Sequence, residues 1–239
     1  MIRKKNIVLA ITPARGGSQG IPRKNIIDLW GLPLVAHTIK HAQKSKLIDK
    51  HIVTSEDLEI RKVCEAYGAE TITRPDEYAH DAILQEVDLL LKWTVTEYEK
   101  RHPQLHVQVV VLLYPTAPLR DVTSIDKAVD LVLNKGFDSA LSVYHDTRYL
   151  WEMDSSGETV NPINYDPNNR MPRQKENWNQ WAENKAIYVS KRNLVLEAKR
   201  VGDHCGYVEM EKWRSIDIDE LSDLHMARAL EDFLPNNER

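Results

Sequence analysis

The chain has 239 residues, a formal net charge of -4 and a pI near 6.1, enough for a sizeable core and with no overall attraction to nucleic acid or anionic membrane. Its two cysteines, Cys64 and Cys205, have no metal-type spacing and form no disulfide framework, so two free thiols in a reduced compartment are expected. No stretch approaches transmembrane length and the basic start at Arg3–Lys5 is followed by too short an apolar run for a signal peptide, so a cytoplasmic protein is expected.

The pattern alternates strand and helix, which argues for an α/β fold with a mostly parallel central sheet. Ile7–Ile11 reads as a buried strand. It opens into a loop with Gly16, Gly17 and Gly20 and the cations Arg15, Arg23 and Lys24, running to Asn25. Leu34–Lys44 has helical apolar spacing, Lys50–Ser55 reads as a strand, Leu58–Tyr67 as a helix stopped by Gly68, and Glu70–Thr73 as a strand. A longer helix is expected over Ile83–Lys100. Val107–Leu113 is β-branched and continuous, as a central strand buried on both faces should be. After Tyr114–Arg120, Thr123 or Ser124 is expected to cap a helix ending near Leu133, and Asp138–Val143 reads as a strand. From about 145 to 182 the chain is rich in Asn, Pro, Arg and Trp without periodicity, too long for an ordinary loop, and reads as an inserted arm on a single domain spanning 1–239. A strand at Ala186–Val189, a short helix near Asn193–Ala198, a strand at Cys205–Glu209, the run Ser215–Asp219 as a strand end and a last amphipathic helix over Leu221–Phe233 complete the pattern.

A strand feeding a glycine-rich basic loop is a common way to hold phosphate, because glycines let backbone N–H groups approach and cations neutralise charge. No GxxxxGK[ST] can be aligned here, and Gly16, Gly17 and Gly20 lack GxGxxG spacing, so neither the Walker A motif nor the dinucleotide fingerprint applies. Arg15 leaves the strand end and Lys24 follows nine residues later, a separation that can embrace a triphosphate from two sides. Asp217 and Asp219, at i and i+2 of an extended segment, point to one face and can both reach one divalent cation.

The run ITPARGGSQGIPRKNI resembles the opening motif of the acylneuraminate cytidylyltransferase family, the CMP-sialic acid synthetases. The resemblance continues through Thr54–Asp57, Arg74-Pro75 with Asp81, LYPTAPLR at Leu113–Arg120, Arg173-Gln174, Asn184–Val189 and Ser215–Asp219. It implies a Rossmann-like nucleotidyltransferase fold, a CTP donor, a sugar-acid acceptor of the nonulosonic type, Mg2+ and a homodimer formed through the arm. It also implies residue roles. Ala14, Arg15, Gly16, Gly17, Lys24, Asn25, Arg74 and Asp81 would contact the nucleotide, with Arg15 and Lys24 also catalytic. Asp217 and Asp219 would hold the metal and take part in catalysis, and Tyr114, Thr116, Arg173 and Gln174 would face the sugar. The chain departs from the family pattern at four places: Gln19 stands for a common Lys, Tyr114 for Gln, Lys185 for Gly, and Ala82-Ile83-Leu84 follow Asp81 where a Ser or Thr is often found. A nucleotidyltransferase for another sugar or sugar phosphate, and a nucleotide-binding homologue without transfer activity, are the alternatives to that reading.

Overall fold

The computed structural model describes residues 4–18, 20–78, 86–172, 174 and 178–235. In chain order the elements are β1 (Lys5–Pro13), a tight hairpin of β2 (Asp28–Leu29) and β3 (Leu32–Pro33), α1 (Leu34–Lys44), β4 (Lys50–Ser55), α2 (Leu58–Ala66), β5 (Glu70–Thr73) and α3 (Glu86–Arg101). There follow β6 (Leu105–Leu112), α4 (Val122–Leu133), β7 (Ser139–His145), a second hairpin of β8 (Trp151–Met153) and β9 (Val160–Pro162), β10 (Trp181–Lys191), α5 (Arg192–Leu196), β11 (Cys205–Glu209) and α6 (Leu221–Ala229).

Seven strands form one sheet in the order β11-β7-β10-β6-β1-β4-β5. All neighbours are parallel except β10, which runs antiparallel to both β6 and β7. The middle of the sheet is buried on both faces, and β1 shows why its sequence is apolar from Ile7 to Ile11. Val8 and Ala10 join the layer under α4, while Ile7, Leu9 and Ile11 join the layer that holds Leu91, Val95 and Tyr98 of α3. The neighbouring β6 contains a polar residue, Gln108, in an otherwise apolar run. The register jumps there, from Ile7 opposite Val107 to Val8 opposite Val109, so Gln108 is the extra residue of a β-bulge and is exposed. The bulge shifts the alternation by one, placing Val107 and Val110 in the same layer.

The expected elements at Leu34–Lys44, Lys50–Ser55, Glu70–Thr73 and Cys205–Glu209 have the observed bounds. Gly68 follows α2 with φ +82, the left-handed conformation expected of a helix-terminating glycine. The cap of α4 is Asp121 rather than Thr123 or Ser124: its carboxylate accepts from the Ser124 amide at 2.8 Å and the Ser124 hydroxyl at 2.6 Å, leaving Ser124 buried in the first turn. Residues 215–219 form no strand. They lie outside the sheet, tied down through Ile218, whose amide donates to the Thr116 carbonyl at 2.8 Å. The last helix ends at Ala229, and Glu231–Phe233 is a separate 3-10 turn. The beginning of the helix expected from Ile83 lies outside the described residues. The expected arm leaves the sheet after β7 and returns in β10, carrying the β8–β9 hairpin and a 3-10 turn at Pro167–Asn169.

The loop after β6, Tyr114–Arg120, is held by side chains rather than by a sheet. Arg120 is fully buried; its Nε donates to the Ala117 carbonyl at 3.0 Å and its Nη2 to the Tyr114 carbonyl. Burial pushes Arg120 down to about 9, against the pull of the Asp217 charge, so it stays protonated at neutral pH. Arg214 adds a hydrogen bond to the Leu119 carbonyl at 3.1 Å.

Two outcomes are expected. Arg120→Met takes the guanidinium donor from the Ala117 carbonyl and leaves the Tyr114 carbonyl with only its 3.4 Å contacts from Thr38 Oγ1 and the Ala117 amide, lowering unfolding free energy in urea by about 1–3 kcal/mol; a loss near zero would show that the loop does not depend on the guanidinium. His51, whose ring Nε2 lies 2.9 Å from Thr12 Oγ1, is pushed down by burial from 6.5 to about 4. Between those pH values the unfolded chain binds a proton that the folded chain refuses, so stability falls as pH drops from 6.5 towards 4. His51→Gln flattens that slope in urea midpoints measured across the window, and an unchanged slope would exclude His51 as its source.

Candidate active site

At the carboxyl end of β1 the chain meets the carboxyl ends of β4 and β6, the usual place for a site in a parallel sheet. A cavity of about 660 Å³ opens there. Arg15, Ser18, Gly20, Lys24 and Asn25 of the first loop line it together with Tyr114, Pro115 and Thr116 after β6 and with Lys185, Asp217 and Asp219.

The first loop is held from within. Asn25 is buried and its Nδ2 donates to the Arg15 carbonyl at 2.8 Å, fixing the two ends of the loop against each other. Gly20 passes so close to the acid segment that a Cβ there would lie 2.1 Å from the Asp219 carbonyl oxygen; only glycine allows the approach. Lys24 closes the contact, its Nζ 2.8 Å from Asp219 Oδ1. Residues 195 positions apart in sequence thus form one wall.

The acid pair is aimed by its neighbour. Ile218 is fully buried among Ile21, Leu29, Leu34, Leu224 and Ala227, so Asp217 and Asp219 on either side of it turn towards the cavity. The Asp223 carboxylate accepts from the amides of Asp219 at 3.0 Å and Glu220 at 2.8 Å, anchoring the segment at the start of α6. Burial works against the charge of Asp219, but the hydrogen bond and charge of Lys24, with Lys185 and Asp217 adding to them, hold its carboxyl below the usual range. Two hard carboxylates on one face suit Mg2+, which keeps several waters and takes its remaining ligands from a phosphate. Among the described residues no group of three or more His, Cys, Asp or Glu stands together to hold a metal ion.

The other expected residues divide. Arg74 is buried and lines the cavity, with Nη1 donating to the Tyr78 carbonyl at 3.2 Å and Nη2 to the Thr54 carbonyl at 3.3 Å. Ala14 lies in the apolar layer beneath, its amide donating to the Thr54 carbonyl at 2.9 Å. The Gly16 amide donates to Glu56 Oε1 at 2.6 Å, so it faces a carboxylate of this chain; Gly17 does not line the cavity. Arg23 turns away, binding Asp57 and, at 2.5 Å, Glu59, so it supplies no substitute for a cation at position 19. Gln174 sits in an exposed turn of the arm, away from the cavity lining. Gln19, Asp81 and Arg173 lie outside the described residues.

The sequence reading did not single out the far corner of the cavity, where Glu183, Tyr188 and Arg200 join Tyr114. Arg200 Nη1 donates to Tyr114 Oη at 3.2 Å, its Nε pairs with Asp88 Oδ1 at 2.5 Å, and its guanidinium lies 5.2 Å from the Tyr188 ring centroid. Tyr188 Oη donates to the Glu183 carboxylate. Burial pushes the Tyr114 phenol up, with the Arg200 charge opposing. The clue to Tyr188 was its place within Asn184–Val189; nothing near Arg200 in sequence marks it.

Comparison with known proteins agrees with this geometry. N-acylneuraminate cytidylyltransferase A of Danio rerio is 32% identical over 219 residues, covering 91% of this chain and 49% of that protein. Pseudaminic acid cytidylyltransferase of Campylobacter jejuni is 38% identical over 117 residues, covering 46% of this chain and 47% of its own. The chain thus spans about half the length of these curated relatives. A solved structure of CMP:2-keto-3-deoxy-manno-octonic acid synthetase complexed with CTP superposes with a TM-score of 0.66 at 14% identity, covering 96% of this chain and 99% of that one, a likeness of fold. No helix among the described residues is long and apolar enough to cross a membrane. Residues 9–233 match the cytidylyltransferase family model, so a strand, a basic glycine loop and a distant acid pair gathered round one cavity here belong to a member of the cytidylyltransferase family.

Proposed function

We propose that the protein transfers CMP from CTP to a nonulosonic, sialic-acid-like 2-keto sugar acid and releases pyrophosphate. The observation that carries the reading is the Lys24–Asp219 contact of 2.8 Å, which brings the phosphate-type loop and the metal-type acid pair into one cavity. The names of the relatives support the acceptor class: N-acylneuraminate and pseudaminic acid are acted on by proteins that match most or half of this chain.

In this reading the triphosphate lies along the first loop, with Arg15 and Lys24 offsetting its charge and Arg74 closing the side of the cavity. A hydroxyl oxygen of the sugar acid attacks the α-phosphorus, the hydroxyl loses its proton, and the bond to the bridging oxygen of pyrophosphate breaks. Asp217 and Asp219 would hold Mg2+, which supplies a positive centre for charge that builds on the phosphoryl oxygens. Their fixed position around the buried Ile218 holds both carboxylates before substrate arrives, so little reorganisation is needed at the moment of reaction. Tyr114 and Thr116 would face the acceptor, and Tyr114 brings a phenol where sialic-acid enzymes have an amide.

We also read the arm as a homodimer surface and the protein as cytoplasmic. Trp151, Met153, Val160 and Ile163 of the arm are exposed at 47%, 63%, 53% and 56%, a concentration of apolar surface that suits a partner chain.

Incubation with CTP, Mg2+ and a panel of nonulosonic acids is expected to release pyrophosphate with at least one acceptor, and Asp219→Asn to lower that rate by about 100-fold or more with the far-UV circular dichroism unchanged. Release with another nucleoside triphosphate in place of CTP would overturn the donor, and full activity of Asp219→Asn would overturn the role of the acid pair. Sedimentation of the purified chain is expected to give twice the mass of 27.6 kDa, and a single-chain mass would exclude the arm as a dimer surface.

A further inference from the structure

The acid pair already holds a cation of the protein's own. Lys185 Nζ lies 2.9 Å from Asp217 Oδ2 and 3.8 Å from Asp219 Oδ2, while Lys24 takes the other oxygen of Asp219. One ammonium therefore faces both carboxylates from the cavity side, where a divalent ion would also have to stand.

The backbone is built to put it there. Strand β10 loses register with β7 between Glu183 and Tyr188. Inside that irregularity Asn184 is buried and fully employed: its Oδ1 accepts from Ser142 Oγ at 2.6 Å and from the Ala186 amide at 3.1 Å, and its Nδ2 donates to Ser215 Oγ at 3.0 Å. Ser142 Oγ in turn accepts from the Ile187 amide at 2.9 Å. With both sides of the kink clamped, Lys185 is left at φ 55, a left-handed conformation that glycine adopts freely and a lysine adopts at a cost. The hydrogen bond from Asn184 to Ser215, two residues before Asp217, ties the strand that carries the lysine to the segment that carries the acids. A strained backbone that aims a charged side chain at two carboxylates is a device for placing that charge.

We propose that Lys185 is a tethered counter-cation that divalent metal must displace from Asp217 and Asp219. The inference rests on the reading of these two residues as the metal pair. Without a cation between them two carboxylates on one face repel, and the ammonium keeps them oriented in the free protein. A divalent ion entering the pair drives the ammonium back into the cavity it shares with Arg15 and Lys24, where the triphosphate would lie. Metal binding to the free protein is thereby weakened, and a triphosphate that attracts the displaced ammonium favours it. Binding of metal and nucleotide become mutually supportive through one side chain.

The test is Mn2+ binding to the nucleotide-free protein, read by electron paramagnetic resonance of the free ion, for wild type, Lys185→Met and Lys185→Gly. Met removes the charge at the same backbone position, whereas Gly also removes the strain. Both variants are expected to bind Mn2+ about tenfold more tightly than wild type, the equivalent of about 1.4 kcal/mol. Equal affinity in wild type and both variants would overturn the proposal, as would tighter binding by Lys185→Gly alone, because relief of strain would then explain it. Asp217→Asn with Asp219→Asn, placed on Lys185→Met, separates the underlying reading: loss of Mn2+ binding is expected, and unchanged binding would remove the metal pair and the tethered lysine together.

Discussion

The loop Tyr114–Arg120 is the piece of chain on which the rest of the site depends, and a buried charge holds it. A loop beneath a cavity cannot be solvated on its inner side, so its carbonyls need donors from the protein. Arg120 serves Tyr114 and Ala117, Arg214 serves Leu119, and the Ile218 amide serves Thr116. An apolar residue at 120 would leave the Ala117 oxygen without its guanidinium donor and the Tyr114 oxygen with only the 3.4 Å contacts from Thr38 Oγ1 and the Ala117 amide. The last of the four bonds links the loop to function: by fastening Ile218 to Thr116, it sets the two aspartates beside the cavity without any strand to carry them.

From that fixed loop the walls follow by charge. Lys24 meets Asp219 because Gly20 lets the first loop touch the acid segment, and Lys185 meets Asp217 because Asn184 kinks β10. Each contact spans a long stretch of sequence, and each is half-exposed or better on at least one side, where ion pairs contribute little to stability. Their worth lies in position. The buried hydrogen bonds of Asn184 and Asn25 carry the structural load, and the lysines are free to exchange one anionic partner for another.

The strands and most helices were legible because burial on two faces leaves a signature in every residue, as in Ile7–Ile11 and Lys50–Ser55. Bounds failed where a side chain, not periodicity, decides. Asp121 outcompetes Thr123 as a cap because a carboxylate accepts two bonds from Ser124. Ser215–Asp219 alternates like a strand because Ile218 is buried between two acids that face the cavity, yet its hydrogen bond goes to a loop. Among the site residues, Arg15, Lys24, Asn25, Arg74, Asp217 and Asp219 were legible as a motif and do share the cavity or its rim. Arg23 looked equivalent to Lys24 in sequence. It is diverted because its left-handed backbone, φ 58, directs it to Asp57 and Glu59 at the start of α2. Arg200 was invisible because Asp88 and Tyr114, the groups that position it, lie far away in the chain.

The two ends of the cavity differ in how their cations are held, and this bears on which end takes which substrate. Lys24 and Lys185 sit on the Asp217 and Asp219 carboxylates, and in the proposed function a divalent ion bound there would leave their charge available to a phosphate. Arg200 is fixed against Asp88, the Tyr188 face and the Tyr114 hydroxyl, a planar group held on several sides. Burial lifts the Asp88 carboxyl above its usual range while Arg200 opposes the shift. A fixed guanidinium flanked by two phenols and the Glu183 carboxylate can recognise a shape with several hydroxyls and one acid group. In the proposed function the nucleotide would therefore lie towards Arg15 and Lys24 and the sugar acid towards Tyr114, with the reacting oxygen and phosphorus between them.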